Sequence, residues 1–70
     1  MRRGALLREI GRAARRQSVT WVLIRQGGKH EIWRCGATDV VIPRHAEIND
    51  LTARGITRAL EDELGKGWWR

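Results

Sequence analysis

Gln26-Gly27-Gly28-Lys29-His30-Glu31-Ile32-Trp33-Arg34 is the stretch that decides the fold, and Val40-Val41-Ile42-Pro43-Arg44-His45 answers it a few residues on. The glycine pair is a turn signal that tolerates positive φ, and it delivers His30 at the start of a strand running to Arg34. Upstream, Val19-Thr20-Trp21-Val22-Leu23-Ile24 is β-branched and aromatic and too short for a helix, so it reads as another strand. Its two faces are both largely apolar, which suits a central position or an edge covered by a helix. Downstream, Cys35-Gly36-Ala37-Thr38-Asp39 is a short turn. Val40-Val41-Ile42 is a third strand, stopped by Pro43, which has no N–H for the ladder. Close turns between three short strands imply an antiparallel meander.

Two amphipathic helices flank these strands. Leu6, Leu7, Ile10, Ala13 and Ala14 recur at helical spacing and predict a helix over residues 5–16, with Arg8, Arg12, Arg15 and Arg16 mostly off the apolar stripe. Gly11 weakens it by up to about 1 kcal/mol relative to Ala and leaves room for a close neighbour. Ile56, Ala59, Leu60 and Leu64 predict a second helix over 52–64, capped by Asn49, Asp50 or Thr52 and ended by Gly65. Arg58 and Asp62 stand four apart on its polar side and can pair. If one sheet face is bare, both helices must cover the other to bury their stripes. The expected fold is therefore α+β, an α-β-β-β-α domain of the double-stranded-RNA-binding type with both helices on one face of a three-stranded antiparallel sheet. One domain spans residues 1–70, its core at about 5–64, with a Trp-rich tail at 65–70 whose Trp68 and Trp69 are expected to fold back over the core or an edge.

Seventy residues leave no room for an enclosed substrate cavity, so any chemistry belongs on an open face or an edge. The net charge is +6, from 14 Lys and Arg against 8 Asp and Glu, and every cation but Lys29 and Lys66 is Arg. The planar guanidinium fork matches phosphate oxygens, which points to a polyanion, and nucleic acid is the commonest. The lone Cys35 makes no internal disulfide and no cysteine-cluster zinc site, and fits a reducing compartment. No signal peptide and no apolar run of membrane-spanning length stand out, so a cytoplasmic protein is expected.

Both histidines sit at strand junctions beside a cation: Lys29-His30 and Arg44-His45. Cleavage of an RNA phosphodiester needs a base for the 2′-hydroxyl, an acid for the leaving 5′-oxygen, and positive charge near the non-bridging oxygens. Histidine titrates closest to neutral pH. Period-two alternation places His30, Ile32 and Arg34 on one face of their strand, with the His30 and Arg34 backbones about 13 Å apart. At that distance Arg34 reaches a neighbouring phosphate rather than the same one. Gly27 and Gly28 let backbone approach the phosphate beside His30. Antiparallel pairing brings the start of the second strand next to the end of the third, so His30 and His45 are expected at one end of the sheet. His45 has an equal structural reading, as a cap of the connection packed on the second helix. The two histidines and scattered acids form no preferred metal-ligand set.

Leu6-Leu7, Gly28-Lys29-His30, Val41-Ile42-Pro43-Arg44-His45, and Thr52 with Ile56 together resemble the HicA family of small toxins, over roughly residues 5–64. The resemblance implies a double-stranded-RNA-binding-like fold and metal-independent cleavage of mRNA without a cofactor. It also implies neutralisation by a HicB-type antitoxin protein. The family's catalytic histidine follows the glycine turn, which is His30 here. Gly28, Lys29, Arg34, Arg44 and His45 are then the candidate phosphate contacts. The chain departs from the pattern at Lys29, where the family commonly has Ser or Thr. Its acidic Glu61-Asp62-Glu63 and its Trp-Trp tail are further differences. Two other readings stay open: a non-catalytic basic module that binds RNA, and a domain that docks an acidic protein through Trp68, Trp69 and the basic surface.

Overall fold

Leu6, Ile10, Ala13 and Ala14 recur at helical spacing, and all four are buried along one side of α1 (Arg3–Gln17). The computed structural model describes residues 1–69. After α1 come β1 (Trp21–Gln26), β2 (His30–Cys35), β3 (Thr38–Pro43), α2 (Asp50–Ala59) and α3 (Glu61–Leu64). The three strands form one antiparallel sheet in the order β1-β2-β3. The α-β-β-β-α order and the two-layer α+β architecture are those the hydrophobic pattern predicts. Arg70, the last residue of the expected tail, lies outside the described residues.

Element boundaries differ from the pattern for local reasons. Ser18 ends α1 in the left-handed conformation (φ 56°), and the Val19 amide returns to the Ala14 carbonyl at 2.8 Å. Val19 and Thr20 are therefore spent on the connection, and β1 starts at Trp21. The β2–β3 turn is only Gly36-Ala37, so β3 begins at Thr38. Gly36 has φ 60°, and a Cβ there would run into the Glu63 carboxylate and lie 3.1 Å from Val19. Glycine is thus required at this turn by conformation and by space. Being first in the order, β1 is an edge strand rather than a central one. It keeps only Trp21 half-buried, and Val22, Leu23 and Ile24 are exposed.

The last helix begins at Asp50, capped by Asn49, whose side chain accepts the Thr52 amide at 2.8 Å. It breaks at Leu60 (φ −92°, ψ 0°), and α3 then packs against α1. Among the described residues Arg58 and Asp62 form no ion pair, because the break at Leu60 removes the continuous helical register. Ala59 is exposed, and Ala53 and Thr57 take the buried positions. Leu6, Ile10, Ile42, Ile48, Leu60, Leu64 and Cys35 make the centre of the core. Burial of each large aliphatic side chain contributes about 1.5–3 kcal/mol. Trp68 folds back as expected, its Nε1 donating to the Thr57 carbonyl at 2.9 Å, with Trp69 edge-on to it. No described helix is long and apolar enough to cross a membrane.

Candidate functional site

Alternation on β2 assigns its six residues to two faces, with Ile32 and Trp33 both half-buried. Glu31 and Cys35 are buried under the helices with Trp33 partly so, while His30 and Arg34 are exposed on the helix-free face. On β3, Val40 and Ile42 are buried and Val41 is 54% exposed. The open face therefore presents His30, Ile32 and Val41 together. They line a shallow depression with Gly27 and Arg25.

Arg25 was not among the residues the sequence pattern singled out. Trp21 pairs with buried Cys35 and Leu23 with Trp33, so strict alternation would send Arg25 to the helix-covered side. A β-bulge between Leu23 and Arg25 shifts the register, and Arg25 pairs with Ile32 on the open face instead. The following Gln26 pairs with Glu31 on the covered side. An arginine at the end of an edge strand was visible in the sequence; the extra residue that turns it over was not.

The turn carrying Lys29 and His30 is held by backbone and by Arg44. The Gly27 amide donates to the His30 carbonyl and the Arg44 amide to the Lys29 carbonyl, both at 2.9 Å. The Arg44 guanidinium donates to the Gly27 carbonyl at 3.0 Å. Neither Gly27 nor Gly28 uses positive φ, contrary to the turn signal. Space is tight at Gly27, where a Cβ would lie 3.1 Å from the His30 carbonyl. Gly28 faces open solvent, where a ligand can reach its backbone.

His30 pairs with Pro43 across the ladder, so Arg44 and His45 leave β3 at the end of the sheet where His30 enters β2. Both imidazoles are exposed, and no group among the described residues hydrogen-bonds to either ring. Arg34 stands apart. Its guanidinium grips Asp39 through two bonds, at 2.7 and 3.2 Å. The Asp39 hydrogen bond raises the pKa of Arg34 and lowers that of Asp39. Of the expected phosphate contacts, Gly28, Lys29 and Arg44 adjoin His30. Arg34 already has a carboxylate partner, Asp39, five residues along the chain.

Beneath this turn lies a buried carboxylate that the sequence reading passed over. Glu31 is 6% exposed and gathers the Arg3 guanidinium, Trp33 Nε1 at 2.9 Å and Gln26 Nε2 at 3.5 Å, with Arg44 Nε 3.9 Å away. Arg3 also donates to the Pro43 carbonyl at 2.8 Å, opposite His30. This network anchors the ends of β2 and β3 to α1. Burial pushes the Cys35 thiol pKa up, and the Glu63 carboxylate adds to the shift. Cys35 is thus a core residue with little thiolate character. No three His, Cys, Asp or Glu side chains gather as a metal site among the described residues.

No family model, curated protein or solved structure matches the chain.

Proposed function

We propose that this protein is an RNA endonuclease of the HicA type. It would be a cytoplasmic toxin that cleaves mRNA and is held in check by a HicB-like antitoxin protein. The observation that carries the reading is the exposed His30 imidazole on a helix-free sheet face, between Arg25 and the Lys29 turn. In this scheme His30 exchanges a proton with the substrate, at the 2′-hydroxyl or the leaving 5′-oxygen. Arg25, Lys29 and Arg44 supply positive charge to the phosphate as it gains charge in the transition state. Gly28 leaves the backbone open to the strand. His45, at the same end of the sheet, is the candidate for the second proton transfer. Ile32 and Val41 give the depression an apolar floor against which a sugar or base can lie.

The charge distribution supports RNA as the substrate class. Glu9, Glu31 and Asp39 pair with arginines, while Arg8, Arg15, Arg25 and Lys29 have no carboxylate partner among the described residues. The surface field is accordingly cationic.

Induced expression and cleavage of RNA by purified protein test the reading together. The parent protein should shorten RNA and arrest growth, and His30→Ala should do neither while keeping the parent's fold. Equal arrest by the His30→Ala variant would remove His30 as catalyst. Binding of RNA without shortening it by the parent would leave a non-catalytic binding module.

A further inference from the structure

Arg8, Arg12 and Arg15 follow one another on α1 at offsets of four and three, so all three share one helix face. All are exposed. Beside them Trp21 of β1 and Trp33 of β2 stack with ring centroids 4.7 Å apart and planes at 19°. These five residues, with Leu7 and Gly11, line a groove of about 340 Å³. Its arginines are exposed, and its other lining residues are half-buried. Among the described residues no carboxylate lines it. Arg12 contacts Glu9 at 3.3 Å, while Arg8 and Arg15 have no acidic partner among the described residues. Gly11 keeps the groove open, since a Cβ there would already touch Trp21 at 3.7 Å. This groove lies on the helix-covered side of the sheet, away from His30.

We propose that the groove is a second RNA site. It takes a single-stranded segment whose phosphates meet the three arginines while one unpaired base lies against the indole pair. The proposal deepens the nuclease reading and rests on it for the choice of RNA among polyanions. Arginine forks match phosphate oxygens, and indole rings offer a flat apolar surface to a base of any identity. A base held in a duplex cannot leave its stack to reach rings set back between a helix and a sheet. An acidic peptide would satisfy the arginines but leave the rings without a flat partner. Because β1 is an edge strand, one RNA chain can pass round it, from the groove to the open face where Arg25 and His30 wait.

The test uses the full chain in the His30→Ala background, so that RNA stays intact, and follows the anisotropy of a short fluorescein-labelled single-stranded RNA across a salt series. Arg8→Gln/Arg12→Gln/Arg15→Gln should weaken binding about tenfold or more at low salt. It should also lower the slope of log K against log salt by about 2, given roughly 0.7 per phosphate on a single strand. Gly11→Leu should weaken binding with the slope nearly unchanged, because it fills the groove without removing charge. Circular dichroism checks that each variant folds, and if Gly11→Leu does not, the triple variant decides alone. Unchanged affinity and slope in the triple variant would overturn the proposal. So would polyglutamate displacing RNA as well as unlabelled RNA does, which would assign the groove to an acidic protein. Cleavage by the His30-intact protein separates the two readings. An arginine-dependent slope without cleavage by the parent keeps the groove and removes the nuclease. Cleavage by the parent with no effect of the triple variant does the reverse.

Discussion

His30 and Glu31 are adjacent on one strand and live in opposite worlds. The His30 ring is exposed on the open face, and no group among the described residues hydrogen-bonds to it. Glu31 is buried and gathers three donors from Arg3, Trp33 and Gln26. The difference teaches how so small a domain keeps a reactive group available. Its polar network sits under the sheet, where low dielectric strengthens every bond and makes an unpaired charge costly. Its proton-transfer group sits above, where water and substrate can reach it. The two positions are coupled through Pro43, whose carbonyl is bonded by Arg3 and whose ladder partner is His30.

That contrast breaks most decisively by truncating each neighbour in turn. His30→Ala should reduce RNA cleavage by about 10²–10⁴-fold, the usual worth of a positioned acid or base, with the thermal midpoint unchanged. Glu31→Ala should do the opposite first. It leaves the half-buried Arg3 guanidinium without its carboxylate partner, costs about 3 kcal/mol, and lowers the midpoint by more than about 10 °C. Thermal denaturation and a cleavage assay on both variants check this. Equal midpoints would mean that the carboxylate network is not what holds β2 and β3 to α1.

The two hairpin turns sharpen the same point at smaller scale. Gly36→Ala combines a positive φ with a clash against Glu63, so destabilisation of at least about 1–2 kcal/mol is expected in a denaturant titration. Gly28→Ala, which meets nothing within 4 Å, should stay within about 0.5 kcal/mol of the parent. One turn is a joint in the structure, and the other is free to serve a ligand.

Smaller still is Arg25→Gln. It should weaken RNA binding a few-fold and lower the salt slope by roughly 0.7, one phosphate's share. An unchanged slope would take Arg25 out of the site despite its place beside His30.

The smallest effect concerns the pair Arg34–Asp39. Asp39 has its pKa lowered by the Arg34 hydrogen bond, so whatever stability the pair contributes is present above the ordinary carboxylate range. It is lost as pH falls through the lowered value. An NMR titration should find Asp39 ionising below the ordinary range in the parent and returning to it in Arg34→Gln. Ordinary titration in the parent would leave the Arg34 guanidinium available to phosphate after all.

Much of this is legible in the sequence. The stripes on α1 and α2 and the short strands follow from residue periodicity, because a helix or a sheet must turn one face to the core. Alternation on β2 groups His30, Ile32 and Arg34 on one face, and the packing of the helices against the other face leaves it open. Glu31 was passed over because a carboxylate in a strand reads as surface until its donors are known, and these come from α1, β1 and β2. The Arg–Trp groove went unread for a similar reason, since its lining is spread over three elements.

By itself the sequence determined the order of elements, the antiparallel meander, the excess of cations and the alternation that groups His30 with Ile32 and Arg34. Those properties are set by neighbours along the chain. Only the tertiary structure decided that Arg25 joins His30 rather than the covered side, and that Arg34 is already held by Asp39. It alone decided that the last helix breaks at Leu60. A single bulge reverses every side chain beyond it, and side-chain pairings depend on register between strands. Neither is written in the period of any one segment.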